Sequence, residues 1–230
     1  AFAKSGALAD AQSRGLKYLS YGQIDNPLTS ICDPRMIGSH RLAGSEMTTQ
    51  VVAKRDATER VGNVVAVDGR LRMIEYIHLP AALAERRNAD GSLVFWAGNV
   101  AVHVFDVPFL ARLAGEKNVL PWHHSLKKVP FINDAGEQVQ PTNPNAWRFE
   151  RFIFDLLPHA ANALLVEADR NECFAPVKNA DQEANDNART SRGAMSALYT
   201  QWLKAAGAEV APGVTVEINP LWALDAAEVA

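Results

Sequence analysis

Short runs of apolar and β-branched residues alternate with helix-like segments along most of this sequence, and this alternation constrains the fold more than any other feature. The strand-like runs span residues 16–24, 48–54, 63–67, 70–76, 93–96 and 163–168. The helix-like segments span residues 1–15, 33–44, 80–87, 106–114, 147–156 and 195–207. Strands that alternate with helices predict an α/β fold whose sheet is mostly parallel.

Local turn and capping residues fix several boundaries of these elements. Asp33 followed by Pro34 is typical of the first residues of a helix, and Gly44 is placed to end that helix. The pair Asp68-Gly69 between two β-branched runs predicts a two-residue hairpin turn. We therefore expect an antiparallel subsheet attached to the main sheet.

The composition is typical of a globular protein that buries a sizeable core. The chain has 230 residues, of which 48% are hydrophobic and 21% are charged, and its formal net charge is -3. The 23 basic residues are spread along the chain, so neither nucleic acid nor an anionic membrane is an expected partner. The first residues show no signal-peptide pattern, and two cysteines without metal-ligand spacing fit a reducing compartment, so we expect a cytoplasmic protein.

Polar residues follow three of the strand-like runs. These residues are Asp25, Asn99 and Lys178. Ligands of open α/β sheets bind beside the carboxyl ends of strands, so we expect the three side chains to surround one ligand. The sequence contains no GxGxxG, Walker-type, HExxH, GxSxG or paired CxxC motif that would identify this ligand.

Six segments together resemble one known enzyme family. They are IDNPLTSICDPRMIG (24–38), ERVGNVVAVDGRLRMIEY (59–76), FWAGNVAVHVF (95–105), RFERFIFDLL (148–157), FAPVKNAD (174–181) and VEINPL (216–221). In order and spacing they are similar to the eukaryotic-type UDP-N-acetylhexosamine pyrophosphorylases, within the larger family of UDP-sugar pyrophosphorylases. The resemblance implies a Rossmann-like nucleotidyltransferase fold of the GT-A-like type, with a mixed sheet and an antiparallel subsheet.

The resemblance covers the C-terminal half of the family's catalytic domain. The family's N-terminal Gly-rich loop, similar to LxGGxGTRLG, has no counterpart in this sequence. The resemblance therefore implies that residues 1–221 are a partial nucleotidyltransferase domain with the sugar and phosphate sites, and that residues 222–230 begin a C-terminal extension. It also implies that the nucleotide site requires an N-terminal segment that is not in this chain.

The reaction implied by the resemblance is uridylyl transfer. An N-acetylhexosamine 1-phosphate attacks the α-phosphorus of UTP in line, UDP-N-acetylhexosamine forms and pyrophosphate leaves, with Mg²⁺ as cofactor. Three alternatives stay open: a fragment that binds sugar phosphate or UDP-sugar without turnover, a UDP-glucose or other UDP-sugar pyrophosphorylase of the same family, and a sugar-nucleotide-dependent glycosyltransferase. The last usually carries a DxD-like metal pair, whereas IDNP offers one acid.

By resemblance, two residues act on the phosphates. Lys178 in the PVKNAD loop would contact phosphoryl oxygens, for which a compact ammonium group is suited. Otherwise it is a solvated loop lysine. Asp25 would hold the Mg²⁺ ion, because a hard cation takes one or two carboxylates together with phosphate oxygens and water. The alternative for Asp25 is a local turn before Pro27.

The resemblance assigns three further residues to the sugar. Gly62 would let the backbone approach the hexose without an intervening Cβ, Glu75 would accept hydrogen bonds from ring hydroxyls, and Asn99 would bond the hexose or its acetamido group. Each residue also has a plain structural alternative. Gly62 is otherwise a turn glycine, Glu75 a solvent-facing strand residue and Asn99 a loop cap.

Phe152 and Phe154 match an aromatic pair that receives the acetamido methyl group in the family. Residues two apart share a face only in extended backbone, whereas the spacing of Phe149, Ile153 and Leu156 predicts a helix. Either the helix ends early, or Phe152 belongs to the core.

One histidine pair, His123-His124, stands outside these assignments. A metal site is not expected there, because neighbouring side chains diverge and no third ligand stands at useful spacing. We expect the pair on a solvated surface with Lys127 and Lys128.

Overall fold

The computed structural model describes residues 1–229, which form a mixed sheet with helices on both faces. The strands are β1 (Tyr18–Tyr21), β2 (Met47–Ala53), β3 (Gly62–Val67), β4 (Arg70–Ile74), β5 (Ala97–Asp106), β6 (His123–Lys127), β7 (Phe131–Ile132), β8 (Gln138–Val139), β9 (Ala146–Glu150) and β10 (Ala163–Glu167). The helices are α1 (Ala7–Ser13), α2 (Pro34–Ala43), α3 (Ala81–Ala84), α4 (Val107–Ala114), α5 (Arg170–Cys173), α6 (Ala188–Ala205) and α7 (Ala226–Val229). Two 3₁₀ helices span Tyr76–His78 and Ile153–His159.

The main sheet has the order β10-β2-β5-β3-β4, and β1 pairs with the second half of β5. Within residues 1–229, β10 and β2 are the only parallel pair. The expectation of a mixed α/β sheet with an antiparallel subsheet is confirmed, but the expectation that the sheet is mostly parallel is wrong. Parallel pairing requires a long crossover, and between β2 and β5 the chain has no α-helix longer than the four residues of α3.

The predicted caps and hairpin turn are confirmed. The Asp33 side chain accepts a hydrogen bond from the backbone N–H of Arg35 over 2.8 Å at the start of α2. Gly44 ends that helix with a φ angle of 57°. Between β3 and β4, Asp68 and Gly69 have φ angles of 50° and 75°, as a type I′ turn requires.

The sequence predicts a strand at residues 93–96, but the central strand β5 begins after it, at Ala97. That prediction is wrong, because Gly98 looks like a turn glycine but lies inside the strand. A Cβ on Gly98 would lie 3.2 Å from the carbonyl oxygen of Val52, so the glycine permits close approach of β2. Further along, β5 bulges at Ala101, whose φ angle is 57°, and its register with β2 shifts.

Side chains on the two faces of the main sheet form two separate hydrophobic clusters. The first contains Met47, Val51, Val64, Ala97, Phe105, Phe109, Leu113, Leu156, Leu157 and Ala160. The second contains Met36, Val52, Val100, Val102, Val104 and Cys173. Val51 and Val52 are neighbours in β2 and lie in different clusters, as the alternation of side chains along a strand requires. The sheet is therefore covered on both faces.

Residues 147–156, predicted as a helix, instead form most of β9 and the first part of the second 3₁₀ helix. β9 pairs with β6 in a separate two-stranded antiparallel sheet, in which Trp147 and Phe149 are exposed. The prediction is wrong because the strand and the 3₁₀ helix in succession place apolar residues at Phe149, Ile153 and Leu156. These positions imitate one face of a single helix.

The longest helix, α6, covers residues 195–205 of the segment predicted as a helix at 195–207 and begins seven residues earlier, at Ala188. Asn187 accepts a hydrogen bond from the backbone N–H of Thr190 over 2.9 Å, and its own N–H donates to the Thr190 hydroxyl over 3.0 Å. Of the helices within residues 1–229, none is both long enough and apolar enough to cross a bilayer. α7 lies in the predicted extension 222–230, whose last residue, Ala230, is outside the described residues.

Candidate functional site

Strand directions bring the predicted site residues towards one edge of the main sheet. β1 and β2 run the same way because both are antiparallel to β5, and β10 is parallel to β2. The carboxyl ends of these three strands therefore meet at the edge where β5 begins. Asp25 follows β1, Asn99 lies near the start of β5 and Lys178 follows β10.

A direct backbone contact joins the segment after β1 to the loop after α5. The backbone N–H of Val177 donates to the carbonyl oxygen of Asp25 over 2.8 Å. The buried Asn26 side chain donates to the carbonyl oxygen of Cys173 over 2.7 Å and accepts from the N–H of Ala175 over 3.0 Å. Asn26 thereby satisfies two backbone groups of the loop. The sequence prediction missed Asn26 because asparagine before proline is typical of a turn.

The carboxylate of Asp25 is only partly exposed, and its Oδ1 atom is buried without a hydrogen-bond partner among residues 1–229. Leaving such an oxygen unpaired costs roughly 1–3 kcal/mol or more, so it marks a place where a cation or a ligand donor fits. Asp25 lines a cavity of about 540 Å³ together with residues 21–24. Ile24 and Asp25 lie in a backbone turn, in which the N–H of Asn26 donates to the carbonyl oxygen of Gln23 over 3.4 Å. Within the described residues, however, no backbone N–H bonds the Asp25 side chain as an Asx turn would require.

Lys178 is exposed, and the backbone holds its loop in place. The N–H groups of Lys178 and Asn179 both donate to the carbonyl oxygen of Asp186, over 2.7 and 2.8 Å. The Nζ atom lies 5.8 Å from the centroid of the Phe174 ring. It forms no ion pair with any residue that the structure describes. The backbone of Lys178 is therefore held in place and its ammonium group is not neutralised by a described residue, which is consistent both with an anion-binding group and with a solvated loop lysine.

A second cavity, of about 330 Å³, lies beside Lys178 and has charges of both signs on its walls. Three acidic residues line it, Asp56, Glu59 and Asp186. Of these, Glu59 is held by Arg55 over 3.0 Å and by Arg170 over 2.9 Å. Because Glu59 is already paired, it does not neutralise the lysine. Asp25 and Lys178 thus line two different cavities, and Asn99 lines neither, so one shared ligand cavity for the three residues stays a prediction. The backbone contact at Val177 joins the two segments that carry Asp25 and Lys178.

Three predicted sugar-binding residues are neighbours across three adjacent strands. Gly62, at the start of β3, lies opposite Asn99 of β5. On the other side of β3, Asn63 pairs with Ile74 of β4, and the same register places Glu75 opposite Gly62. Glu75, Gly62 and Asn99 therefore form a row along the sheet edge.

Gly62 is a strand residue whose missing Cβ leaves room for Met73. A Cβ on Gly62 would collide with the sulfur atom of Met73, whose side chain packs against the first hydrophobic cluster. The packing of a neighbouring strand thus accounts for this glycine, and the turn alternative does not.

Asn99 is partly satisfied by its own strand. Its Oδ1 atom accepts a hydrogen bond from the N–H of Ala101 over 3.0 Å, at the bulge of β5. Its Nδ2 atom bonds no residue within 1–229, and the side chain is half-buried. The capping alternative therefore explains the oxygen and leaves the amide N–H groups to donate to a ligand.

Glu75 is half-buried at the end of β4 and is not the solvent-facing residue of the structural alternative. Burial raises the pKa of its carboxyl group, and the side chains of His123, His78 and Lys178 act in the opposite direction. Asp155 raises the pKa further. These four residues belong to β6, the two 3₁₀ helices and the Lys178 loop, so four separate segments influence the ionisation of Glu75.

Phe152 and Phe154 stack on each other, with ring centroids 4.8 Å apart and an angle of 18° between the planes. Phe152 has an extended backbone immediately before the second 3₁₀ helix, so residues two apart share a face. Phe154 is buried and Phe152 is half-buried. Arg70 of β4 donates to the carbonyl oxygen of Pro158 over 2.7 Å and ties this 3₁₀ helix to the strand that precedes Glu75.

His123 and Asp155 also belong to this region, although the sequence predicts His123 on a solvated surface. The Nε2 atom of His123 lies 2.7 Å from Oδ2 of Asp155, and its ring centroid lies 4.9 Å from that of Phe152. His124 faces the other way and packs against Trp147 at 5.2 Å. The prediction is confirmed for the exposed His124 and wrong for His123, because adjacent residues of β6 face opposite sides.

Residues 1–204 match the profile of the UDPGP family, described as UTP--glucose-1-phosphate uridylyltransferase. The chain belongs to this family. This UDPGP-family chain is 38% identical over 201 residues to UDP-N-acetylhexosamine pyrophosphorylase-like protein 1 of Xenopus tropicalis. It is also 38% identical over 214 residues to UDP-N-acetylglucosamine pyrophosphorylase of Saccharomyces cerevisiae.

The UDPGP-family chain spans less than half the length of these curated relatives. The alignments cover 87% of this chain and 39% of the Xenopus protein, and 91% of this chain and 45% of the yeast protein. A crystal structure from Entamoeba histolytica that bears the name UDP-N-acetylglucosamine pyrophosphorylase shares the fold with a TM-score of 0.90 and 30% identity. That similarity covers 100% of this chain and 57% of the Entamoeba chain.

All seven predicted site residues of the UDPGP-family chain lie within the matched residues 1–204. Their arrangement offers an unpaired ammonium group, an unpaired carboxylate oxygen, an amide donor and an aromatic stack. Such a set can bind a molecule that carries phosphate, hydroxyl and apolar groups together.

Proposed function

We propose that this chain provides the sugar and phosphate sites of a uridylyltransferase that joins UTP to an N-acetylhexosamine 1-phosphate. The observation that carries the proposal is the row of Glu75, Gly62 and Asn99 at the sheet edge where the backbones of Asp25 and Val177 meet. The names of the Xenopus and yeast relatives support the same reaction. The products would be a UDP-N-acetylhexosamine and pyrophosphate.

The sugar would lie over the row of three strand residues. Glu75, with its raised pKa, would accept hydrogen bonds from ring hydroxyls, and the free Nδ2 of Asn99 would donate to the sugar or to its acetamido oxygen. The half-buried face of Phe152, backed by Phe154, would receive the acetamido methyl group. An aromatic wall and two polar groups suit a hexose that carries one apolar substituent.

The phosphates would lie beside Lys178. In the reaction an oxygen of the sugar 1-phosphate forms a bond to the α-phosphorus of UTP, and the bond from that phosphorus to the pyrophosphate oxygen breaks. Both ends of this displacement are anionic, so a fixed positive charge stabilises the transition state. The exposed Nζ of Lys178, free of ion pairs in the described residues, would supply that charge.

Asp25 is the residue that we assign to Mg²⁺. Its buried Oδ1 atom, unpaired within residues 1–229, fits a hard cation. The described part of the chain contains no group of three His, Cys, Asp or Glu residues that could hold a metal alone, so the remaining ligands would be phosphate oxygens and water. When bound, Mg²⁺ would neutralise charge on the phosphates.

The nucleotide would be held largely by a segment that is not in this chain. The chain covers 39% and 45% of two relatives, which leaves room for such a segment in a protein of their length. On this proposal the described residues bind the acceptor sugar phosphate and place it against the α-phosphorus. Residues 1–221 would then be part of one catalytic domain, with 222–230 as the start of a further segment.

A pyrophosphate-release assay tests the proposal. The natural polypeptide that carries this chain is supplied with UTP, Mg²⁺ and either N-acetylglucosamine 1-phosphate, N-acetylgalactosamine 1-phosphate or glucose 1-phosphate. We expect turnover with an N-acetylhexosamine 1-phosphate and a loss on the order of 10²-fold or more in Lys178→Ala. The matched control is Lys128→Ala, which replaces an exposed lysine directly after β6, in the separate two-stranded sheet. An unchanged rate in Lys178→Ala would remove this lysine from the mechanism.

A second candidate function is binding of sugar phosphate or UDP-sugar without turnover. It is favoured by one observation, the coverage of less than half of each curated relative. Isothermal titration of the 230-residue chain with the same sugar phosphates and with UDP-N-acetylglucosamine separates the two. Binding with no pyrophosphate release from the natural polypeptide would support this candidate against the transferase.

A further inference from the structure

The pair of His123 and Asp155 has no role in the site as proposed above, yet it is built into the wall of that site. The two side chains share a hydrogen bond of 2.7 Å and are 29% and 16% exposed. They come from β6 and from the second 3₁₀ helix, two elements that are otherwise joined through β9. The bond therefore fixes the position of the aromatic 3₁₀ segment relative to the small sheet.

The imidazole ring of His123 is the third member of an aromatic series. Its centroid lies 4.9 Å from that of Phe152, which in turn lies 4.8 Å from that of Phe154. Phe152 therefore contacts a buried ring, with which it stacks, and the histidine ring, which is tilted by 52° to it. A half-buried phenyl ring that lost one of these neighbours would gain rotational freedom about its side-chain torsions.

The same histidine faces the polar side of the site. Burial raises the pKa of the Glu75 carboxyl group, and His123 is the first of the neighbouring groups that lower it. His123 thus contacts the aromatic wall and acts electrostatically on the Glu75 carboxylate.

We infer that His123, held by Asp155, is a positioning residue that fixes the Phe152 ring and thereby makes the site select N-acetylated sugar phosphates over plain hexose phosphates. This inference rests on the proposed function, because it concerns the sugar that this site accepts. The physical reason is that selectivity for an acetamido group depends on a wall of fixed shape. A wall that can move away contacts the methyl group less and excludes other sugars less.

Three variants distinguish the effect of the His123–Asp155 hydrogen bond from the effect of the His123 ring on Phe152. His123→Ala removes both the ring and the bond to Asp155. His123→Gln keeps an amide N–H that can reach the Asp155 carboxylate but removes the ring from Phe152. His124→Ala is the matched control, because this neighbouring histidine faces the opposite side of β6 and packs against Trp147.

The experiment measures kcat and KM of the natural polypeptide for N-acetylglucosamine 1-phosphate, glucose 1-phosphate and UTP. In His123→Ala we expect KM for the N-acetylated substrate to rise about tenfold, while KM for glucose 1-phosphate and for UTP stays within about twofold, so that selectivity falls about tenfold. His123→Gln should keep the thermal stability of the wild type and lose selectivity to a similar extent. His124→Ala should change neither.

An equal loss for both sugar phosphates, or a change in stability alone, would overturn the positioning role. If the wild type releases no pyrophosphate with either sugar, the proposed transferase function fails. The selectivity is then measured as the ratio of the dissociation constants of the two sugar phosphates, by isothermal titration of the same variants. Unchanged binding preference in both His123 variants would then overturn the inference.

Discussion

The carbonyl oxygen of Asp25 accepts a 2.8 Å hydrogen bond from the backbone N–H of Val177, the residue before Lys178. The carboxylate that we assign to the cation and the lysine that we assign to the phosphates are thus held by one backbone contact. Their relative position depends on the backbone more than on either side chain. Variants that disturb this contact should therefore affect both groups together.

Replacement of Asn26 by alanine should loosen the loop that carries Lys178. The variant leaves the carbonyl of Cys173 and the N–H of Ala175 without their partner, and we expect a loss of about 2–4 kcal/mol in the free energy of unfolding. Urea denaturation measures this loss. Asn143→Ala, in an exposed loop, is the control. Equal stabilities of the two variants would contradict the clamping role of Asn26.

Asp25→Asn should lower activity without lowering stability. The change removes a charge whose buried Oδ1 atom has no partner within residues 1–229, so the fold loses no described hydrogen bond of this side chain. We expect the melting temperature to stay the same or rise, and turnover to fall about 10²-fold with a higher Mg²⁺ requirement. Thermal melts and a Mg²⁺ titration of the rate check this. A large drop in melting temperature would assign Asp25 a structural role instead.

Gly62→Ala should destabilise the protein through Met73. The added Cβ collides with the Met73 sulfur, and overpacking of this kind costs about 1–3 kcal/mol. In a double-mutant cycle, Met73→Ala should relieve part of that cost and give a coupling energy above about 0.5 kcal/mol. Additive effects on urea unfolding would separate Gly62 from Met73. In that case close approach of the sugar becomes the better reason for the glycine.

Acid should destabilise the fold through His103. This fully buried histidine lies in β5 with Nδ1 3.0 Å from the Thr49 hydroxyl, and burial lowers its pKa to about 3. The pKa of His103 is lower in the folded protein than in the unfolded chain. The free energy of unfolding is therefore unaffected by this group above about pH 6.5 and decreases as the pH falls towards about 3. At pH 5 the loss from this group should be about 2 kcal/mol.

Urea denaturation at pH 7 and pH 5 measures this effect, with His103→Gln compared against the wild type. The variant lacks the titrating group, so its stability should fall less between the two pH values. The control is His124→Gln, an exposed histidine that should behave as the wild type does. If His103→Gln and the wild type lose the same stability, other groups cause the acid sensitivity.

Elements with local signals could be predicted from the sequence. The caps of α2 and the turn at Asp68-Gly69 depend on residues next to each other in the chain, and both were predicted at the observed positions. The predictions for Gly98 and for residues 147–156 were wrong for the opposite reason, because they depend on parts of the structure that are not local in sequence. The role of Gly98 depends on the backbone of β2, and the apolar spacing at 147–156 comes from two different elements.

The candidate site shows the same division. The placement of Asp25, Asn99 and Lys178 towards one sheet edge could be predicted because polar residues near strand ends are visible in sequence, whereas their roles and those of the sugar residues, which come from the resemblance, stay predictions. Asn26 and the pair of His123 with Asp155 were missed, since their roles depend on partners far along the chain. A histidine next to a second histidine carries no sign of which one faces the site.

Asn26 and its partner Cys173 are separated by 147 positions. Contacts between such distant segments form late, because closing a long loop is entropically expensive. During synthesis, a chain that has emerged only as far as β5 already contains Asp25, Gly62, Glu75 and Asn99, but it lacks the segment that carries the lysine. Ligand-binding competence should therefore appear abruptly, when the last third of the polypeptide docks.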